Sequence, residues 1–154
     1  MVVGFVGQRW GGVSREEDFS AIQKWIEGEF RERGVDFLYA STGVGVDLAA
    51  MAAAQSMGIP YIVVEPFPNH TYTWPLYWAT RYARLAEGAQ DRIVVAHEYY
   101  PGVFDARARR VAQEALQGGG EVWAWWDGYG DAGVTRVIGY APTVYNLGYK
   151  WANV

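Results

Sequence analysis

The chain contains no cysteine, which excludes disulfides, thiolate catalysis and cysteine-ligated zinc. That absence fits a reducing compartment, and a cytoplasmic location is expected. Only two histidines occur, His70 and His97, with no ligand spacing between them, so no metal site is expected. A basic excess is also missing: the formal net charge is -4, which argues against a non-specific grip on nucleic acid. No apolar run reaches the length of a membrane span, and no membrane partner is expected. The opening MVVGFVGQRW has neither a basic stretch nor a small-residue cleavage site, so it reads as a first strand and not as a signal peptide. There is no G-x-S-x-G elbow, no Walker lysine, no internal repeat and no low-complexity linker.

What is present is a core-forming composition. With 154 residues, 51% of them apolar, the chain is expected to fold as one domain spanning 1–154. Short apolar runs recur at Val2 to Val6, Phe37 to Ala40, Tyr61 to Val64, Arg92 to Ala96 and Val122 to Trp126. Each reads as a strand, and Tyr149 to Asn153 reads as a sixth, at an edge. Helical spacing fills the intervals. Phe19, Ile22, Ile26 and Phe30 share one face, after Ser14 and the acidic Glu16, Glu17 and Asp18. An alanine-rich helix runs from Leu48 to Met57. Trp74-Pro75 starts another, with Tyr77, Trp78, Tyr82 and Leu85 on its periodic face. Phe104 to Leu116 turns Phe104, Ala108, Val111 and Ala115 inward, and Val134 to Ala141 begins a fifth helix that Pro142 interrupts. This alternation predicts an α/β fold: a doubly wound, mainly parallel sheet of five to six strands with helices on both faces.

In such a sheet every strand-to-helix loop leaves at the same edge, where ligands bind. The loops expected there are the unusual ones: Gly7–Gly12, Ser41–Asp47, Glu65–Thr73, His97–Gly102 and Asp127–Thr135. Gly7-Gln8-Arg9 follows the first strand, and Arg9 offers a planar fork for a phosphate. Thr42-Gly43-Val44-Gly45, with Asp47, lies between the second strand and its helix, where glycines allow close approach and first-turn N–H groups attract anions. Asp127-Gly128, with Gly133 and Thr135, follows the fifth strand across a loop that includes Tyr129 to Asp131. The plainer reading of each is a tight turn, a helix-terminus charge or a structural ion pair. Trp10, Tyr72, Trp74 and Tyr99 stand in or beside these loops and are candidate stacking residues.

Taken in order, Gly7-Gln8-Arg9, Thr42 to Asp47, Trp74, Arg107, Trp126-Asp127-Gly128 and Gly133-Val134-Thr135 resemble the motifs of YpsA-like proteins. These belong to the superfamily of DprA/Smf and the Lonely Guy proteins, called SLOG. The resemblance implies a Rossmann-like fold and a pocket for a nucleotide or nucleotide-derived molecule, with no further cofactor, and a homodimer. It places Gly7, Arg9, Gly43, Gly45, Asp47, Asp127, Gly133 and Thr135 at the site. The chain departs from the pattern in reading Arg107-Ala108 for an Arg-Asn pair and Gln113 for a carboxylate. Lonely Guy phosphoribohydrolases carry a glutamate shortly after the threonine of their glycine-rich loop, whereas Arg136, Val137 and Ile138 follow Thr135 here. Ligand binding or sensing is therefore the leading expectation. Hydrolysis of a nucleotide N-glycosidic bond is the alternative, and DprA-like binding of single-stranded DNA the third.

Overall fold

The computed structural model describes residues 1–128 and 132–153. Its elements alternate throughout: β1 (Val2–Gly7), α1 (Glu16–Arg33), β2 (Phe37–Ser41), α2 (Val46–Ser56), β3 (Tyr61–Glu65), α3 (Leu76–Glu87), β4 (Asp91–Val94), α4 (Val103–Gln117), β5 (Glu121–Trp125), α5 (Ala132–Tyr140), β6 (Val144–Asn146) and α6 (Leu147–Ala152). The six described strands form one sheet in the order β4-β3-β2-β1-β5-β6. All pairings are parallel. The chain winds outward from β1 to β4, then returns to lay β5 on the other side of β1. That reversal makes the Rossmann-like switch point, between β1 and β5.

Side-chain alternation along the strands builds two cores. Val3, Phe5, Leu38, Ala40, Tyr61, Val63, Trp123 and Trp125 face α1, α2, α3 and α6. Val6, Val64, Val122 and Ala124 face α4 and α5. Small residues set the spacing of both layers. Ala49, Ala50, Ala53 and Ala54 are wholly buried where α2 lies against the sheet. On the other side α4 presses so close to β1 that a Cβ on Gly4 would stand 2.8 Å from the Cβ of Ala115. At the start of α1, Asp18 accepts hydrogen bonds from the Ser14 hydroxyl at 2.8 Å and the Arg15 N–H at 3.0 Å, in the role the acidic opening foreshadows. Gly34 ends that helix at φ 70°.

Three sequence expectations change. Tyr149 to Asn153 is not a strand, because Tyr149 to Ala152 belong to α6 and the sixth strand is Val144–Asn146. Asn146 decides this: its side-chain oxygen accepts from the N–H groups of Trp126 and Tyr149, capping α6 while tying it to the end of β5. Trp151, one turn after Leu147, then packs against Trp25 and Trp125. Tyr77 is exposed and not on the inner face of α3, where it hydrogen-bonds Glu16 beside Arg81. Phe104 is 45% exposed, and Val103 takes the inward position instead. No described helix is long and apolar enough to cross a membrane.

Candidate functional site

A pocket of about 420 Å³ opens over the C-terminal ends of β1, β2 and β3, roofed by the first turns of α4. Its deep wall is made by Val6, Ser41, Phe67 and His70, all buried. The half-buried Arg107 of α4 reaches the same wall, close to Gly43. The rim carries exposed groups, among them Arg9, Tyr72, Tyr99 and Phe104.

Asp47 lies beneath this pocket, wholly buried in the first turn of α2. One carboxylate oxygen accepts the Gly7 N–H at 2.7 Å, and the other accepts the Gly43 N–H at 2.7 Å. The side chain thus staples the loop after β1 to the loop after β2. Burial pushes its carboxyl up to about 6, against the downward pull of Arg107 and the two backbone donors. The Ser41 hydroxyl also faces this carboxyl, but makes no hydrogen bond of ordinary geometry.

A second buried polar cluster backs the pocket. The neutral His70 donates from Nε2 to the Thr42 carbonyl at 2.9 Å. Its Nδ1 lies 3.9 Å from Glu65, which accepts from the Tyr82 hydroxyl at 2.6 Å and pairs with Arg92 at 3.4 Å. Burial, then the Arg107 charge, pushes His70 down to about 4. Tyr82→Phe removes the shortest described contact of a buried carboxylate and should lower stability by about 1.5–3 kcal/mol in urea denaturation. A loss below a few tenths would show that Arg92 and solvent satisfy Glu65 without it.

The residues singled out from sequence divide into three groups: four that line the pocket, four that brace its loops, and four after β5 that lie outside its described lining. Gly7, Arg9, Gly43 and Val44 line the pocket. Gln8, Thr42, Gly45 and Asp47 hold its loops in place. Gln8 accepts the Asp127 N–H at 3.1 Å, bridging the loops after β1 and β5. Thr42 is buried and donates to the Val64 carbonyl at 2.7 Å. Gly45, at φ 104°, touches Trp10 so closely that a Cβ would fall 2.3 Å from its Cα. The Val46 N–H, the first of α2, donates to the Trp10 carbonyl, so part of that helix terminus is already occupied. Asp127 and Gly128 are exposed beyond the described pocket wall, and Gly133 and Thr135 fall in the first turns of α5. Tyr129 to Asp131 lie outside the described residues. Among the stacking candidates Tyr72, Trp74 and Tyr99 line the pocket, while Trp10 packs edge-on against Trp78.

Ser41, Phe67 and His70 lie in loops expected at this edge, yet neither they nor Phe104 stand out in the sequence as individual pocket residues. The sequence marks His70 only as one of two histidines without ligand spacing between them. A signal existed for two of them: Phe67 and His70 sit in the long loop after a parallel strand.

No protein-family model matches the chain, and no curated protein sequence matches it. Among solved structures, the chain is similar to DNA processing protein A (DprA) from Streptococcus pneumoniae, with 17% identity and a TM-score of 0.47. That likeness covers 99% of this chain and 60% of the other, so the chain spans less than two thirds of that protein's length. It is also similar to the Moco carrier protein from Chlamydomonas reinhardtii, with 16% identity and a TM-score of 0.43, over 99% of this chain and 94% of that one.

Proposed function

We propose that the pocket over β1, β2 and β3 binds or senses a nucleotide or nucleotide-derived ligand. One observation carries the reading: the described pocket wall combines two guanidinium groups, Arg9 and Arg107, with several aromatic rings and contains no aspartate or glutamate. Cationic and aromatic groups around a cavity of this size suit a small molecule that has both an anion and a ring. The motif order resembling YpsA-like proteins points the same way. That the described wall offers no carboxylate favours binding over glycosidic cleavage, which needs a positioned acid or base beside the departing base. A homodimer, as in the resembled superfamily, belongs to the same proposal.

Arg9→Ala tests it. Arg9 is exposed at the rim, so its removal should leave the melting temperature near that of the wild type. Calorimetric titration should show a phosphorylated ligand weakened by about 1.5–3 kcal/mol, and the matching nucleoside by much less. Equal losses for both would show that Arg9 does not read the phosphate. Release of free base and ribose phosphate from a nucleoside monophosphate, above a heat-killed control, would replace binding by hydrolysis.

A further inference from the structure

We propose that Tyr99 and Phe104, backed by Phe67, form a wall that selects a planar aromatic moiety in the ligand, so that the pocket discriminates nucleotides from sugar phosphates. The inference rests on the nucleotide reading above and names the residues that give it specificity. The three rings form a triangle, with centroids 6.0, 6.3 and 6.2 Å apart. Their exposures differ sharply: Phe67 is 7% exposed, Phe104 45% and Tyr99 59%. A cluster that served packing alone would close on itself, because open aromatic area in water forgoes burial. Here Phe67 is buried edge-on against His70, and the two outer rings keep open area beside the cavity.

Charge completes the case. The Arg107 guanidinium stands 5.3 Å from the centre of the Phe104 ring and lines the deeper part of the pocket. An anion near Arg107 and a ring against Phe104 and Tyr99 are therefore neighbours, within the span of one small molecule. A sugar phosphate supplies the anion and leaves the aromatic area wet. A nucleotide supplies both, and stacking on aromatic side chains tolerates any base because every base has a π-face.

The test titrates the four common nucleoside 5′-monophosphates and ribose 5-phosphate against wild type, Tyr99→Ala and Phe104→Leu. Wild type should bind at least one nucleotide about five- to hundredfold tighter than ribose 5-phosphate. Each variant should lose most of that advantage while its ribose 5-phosphate affinity and melting temperature stay unchanged. Tyr99 is largely exposed, so its variant keeps the test valid if Phe104→Leu folds poorly. Equal wild-type affinity for nucleotides and ribose 5-phosphate, or equal losses for both in Tyr99→Ala, overturns the wall while leaving an anion site standing. Binding of none of the five overturns the nucleotide reading, and the wall with it.

Discussion

His70→Gln should turn the stability of this protein downward between pH 4 and pH 6, and Asp47→Asn should turn it upward over the same interval. The two buried groups act with opposite signs. Asp47 has its folded value raised from 3.8 to about 6. Its contribution is fully present below about pH 3.8 and is lost as the pH rises through about 6, because the folded state holds the proton longer than the unfolded chain does. His70 has its folded value lowered from 6.5 to about 4. Its contribution is present above pH 6.5 and is lost as the pH falls toward about 4, because the unfolded chain takes up the proton first. Each swing is worth about 3 kcal/mol at 1.36 kcal/mol per pH unit. In the wild type they nearly cancel. Glutamine keeps an N–H for the Thr42 carbonyl, so His70→Gln isolates the Asp47 slope. Asparagine retains one acceptor for the two backbone N–H groups, so Asp47→Asn also carries a uniform loss of about 1–3 kcal/mol. Urea midpoints at pH 4, 5, 6 and 6.5 measure all three proteins. Parallel profiles in the three would show that neither group is held as described.

Gly45→Ala should cost about 4 kcal/mol or more and lower the melting temperature by about 10 °C. Two effects add. Its φ of 104° lies where a side chain is strained, and the new Cβ would meet the Trp10 Cα at 2.3 Å and the Trp10 oxygen at 2.4 Å. Those are backbone atoms and cannot swing aside. They are clamped by the Trp10 N–H on the Val44 carbonyl at 2.7 Å and the Val46 N–H on the Trp10 carbonyl at 3.1 Å. Gly12→Ala is the control. Its φ of 92° is also positive, but its nearest new neighbour is Ile22 at 4.0 Å. Backbone strain alone should then cost about 1–2 kcal/mol. Similar midpoints for the two variants in urea would remove the steric half of the argument.

The same glycine marks how far a linear reading reaches. Thr42-Gly43-Val44-Gly45 is legible as a strand-to-helix loop where a backbone must be approached closely. What approaches Gly45 is this chain's own Trp10, and what accepts the Gly43 N–H is Asp47. Local pattern conveys that room is needed but not which partner uses it. Helix faces show a similar limit. The period of α3 identifies Trp78, Tyr82 and Leu85 as buried, yet Tyr77 falls outside because Glu16 and Arg81 draw its hydroxyl to the surface. At the C-terminus, β-forming residues from Tyr149 onward suggest a strand, and one Asn146 cap, reinforced by Trp25 and Trp125, outweighs that preference.

The alternating α/β order, the parallel sheet and the edge at which the loops gather are all legible in the linear chain. Those follow from apolar periodicity and from the handedness of crossovers, which act within some thirty residues. Which loop residues face the cavity and which brace it is a matter of long-range packing. That choice depends on contacts between segments far apart in the chain, such as Asp47 with Gly7, Arg107 beside Gly43, and Phe67 with Phe104. No periodicity encodes such contacts, because they exist only once β1, β2 and β3 lie side by side and α4 closes over their ends.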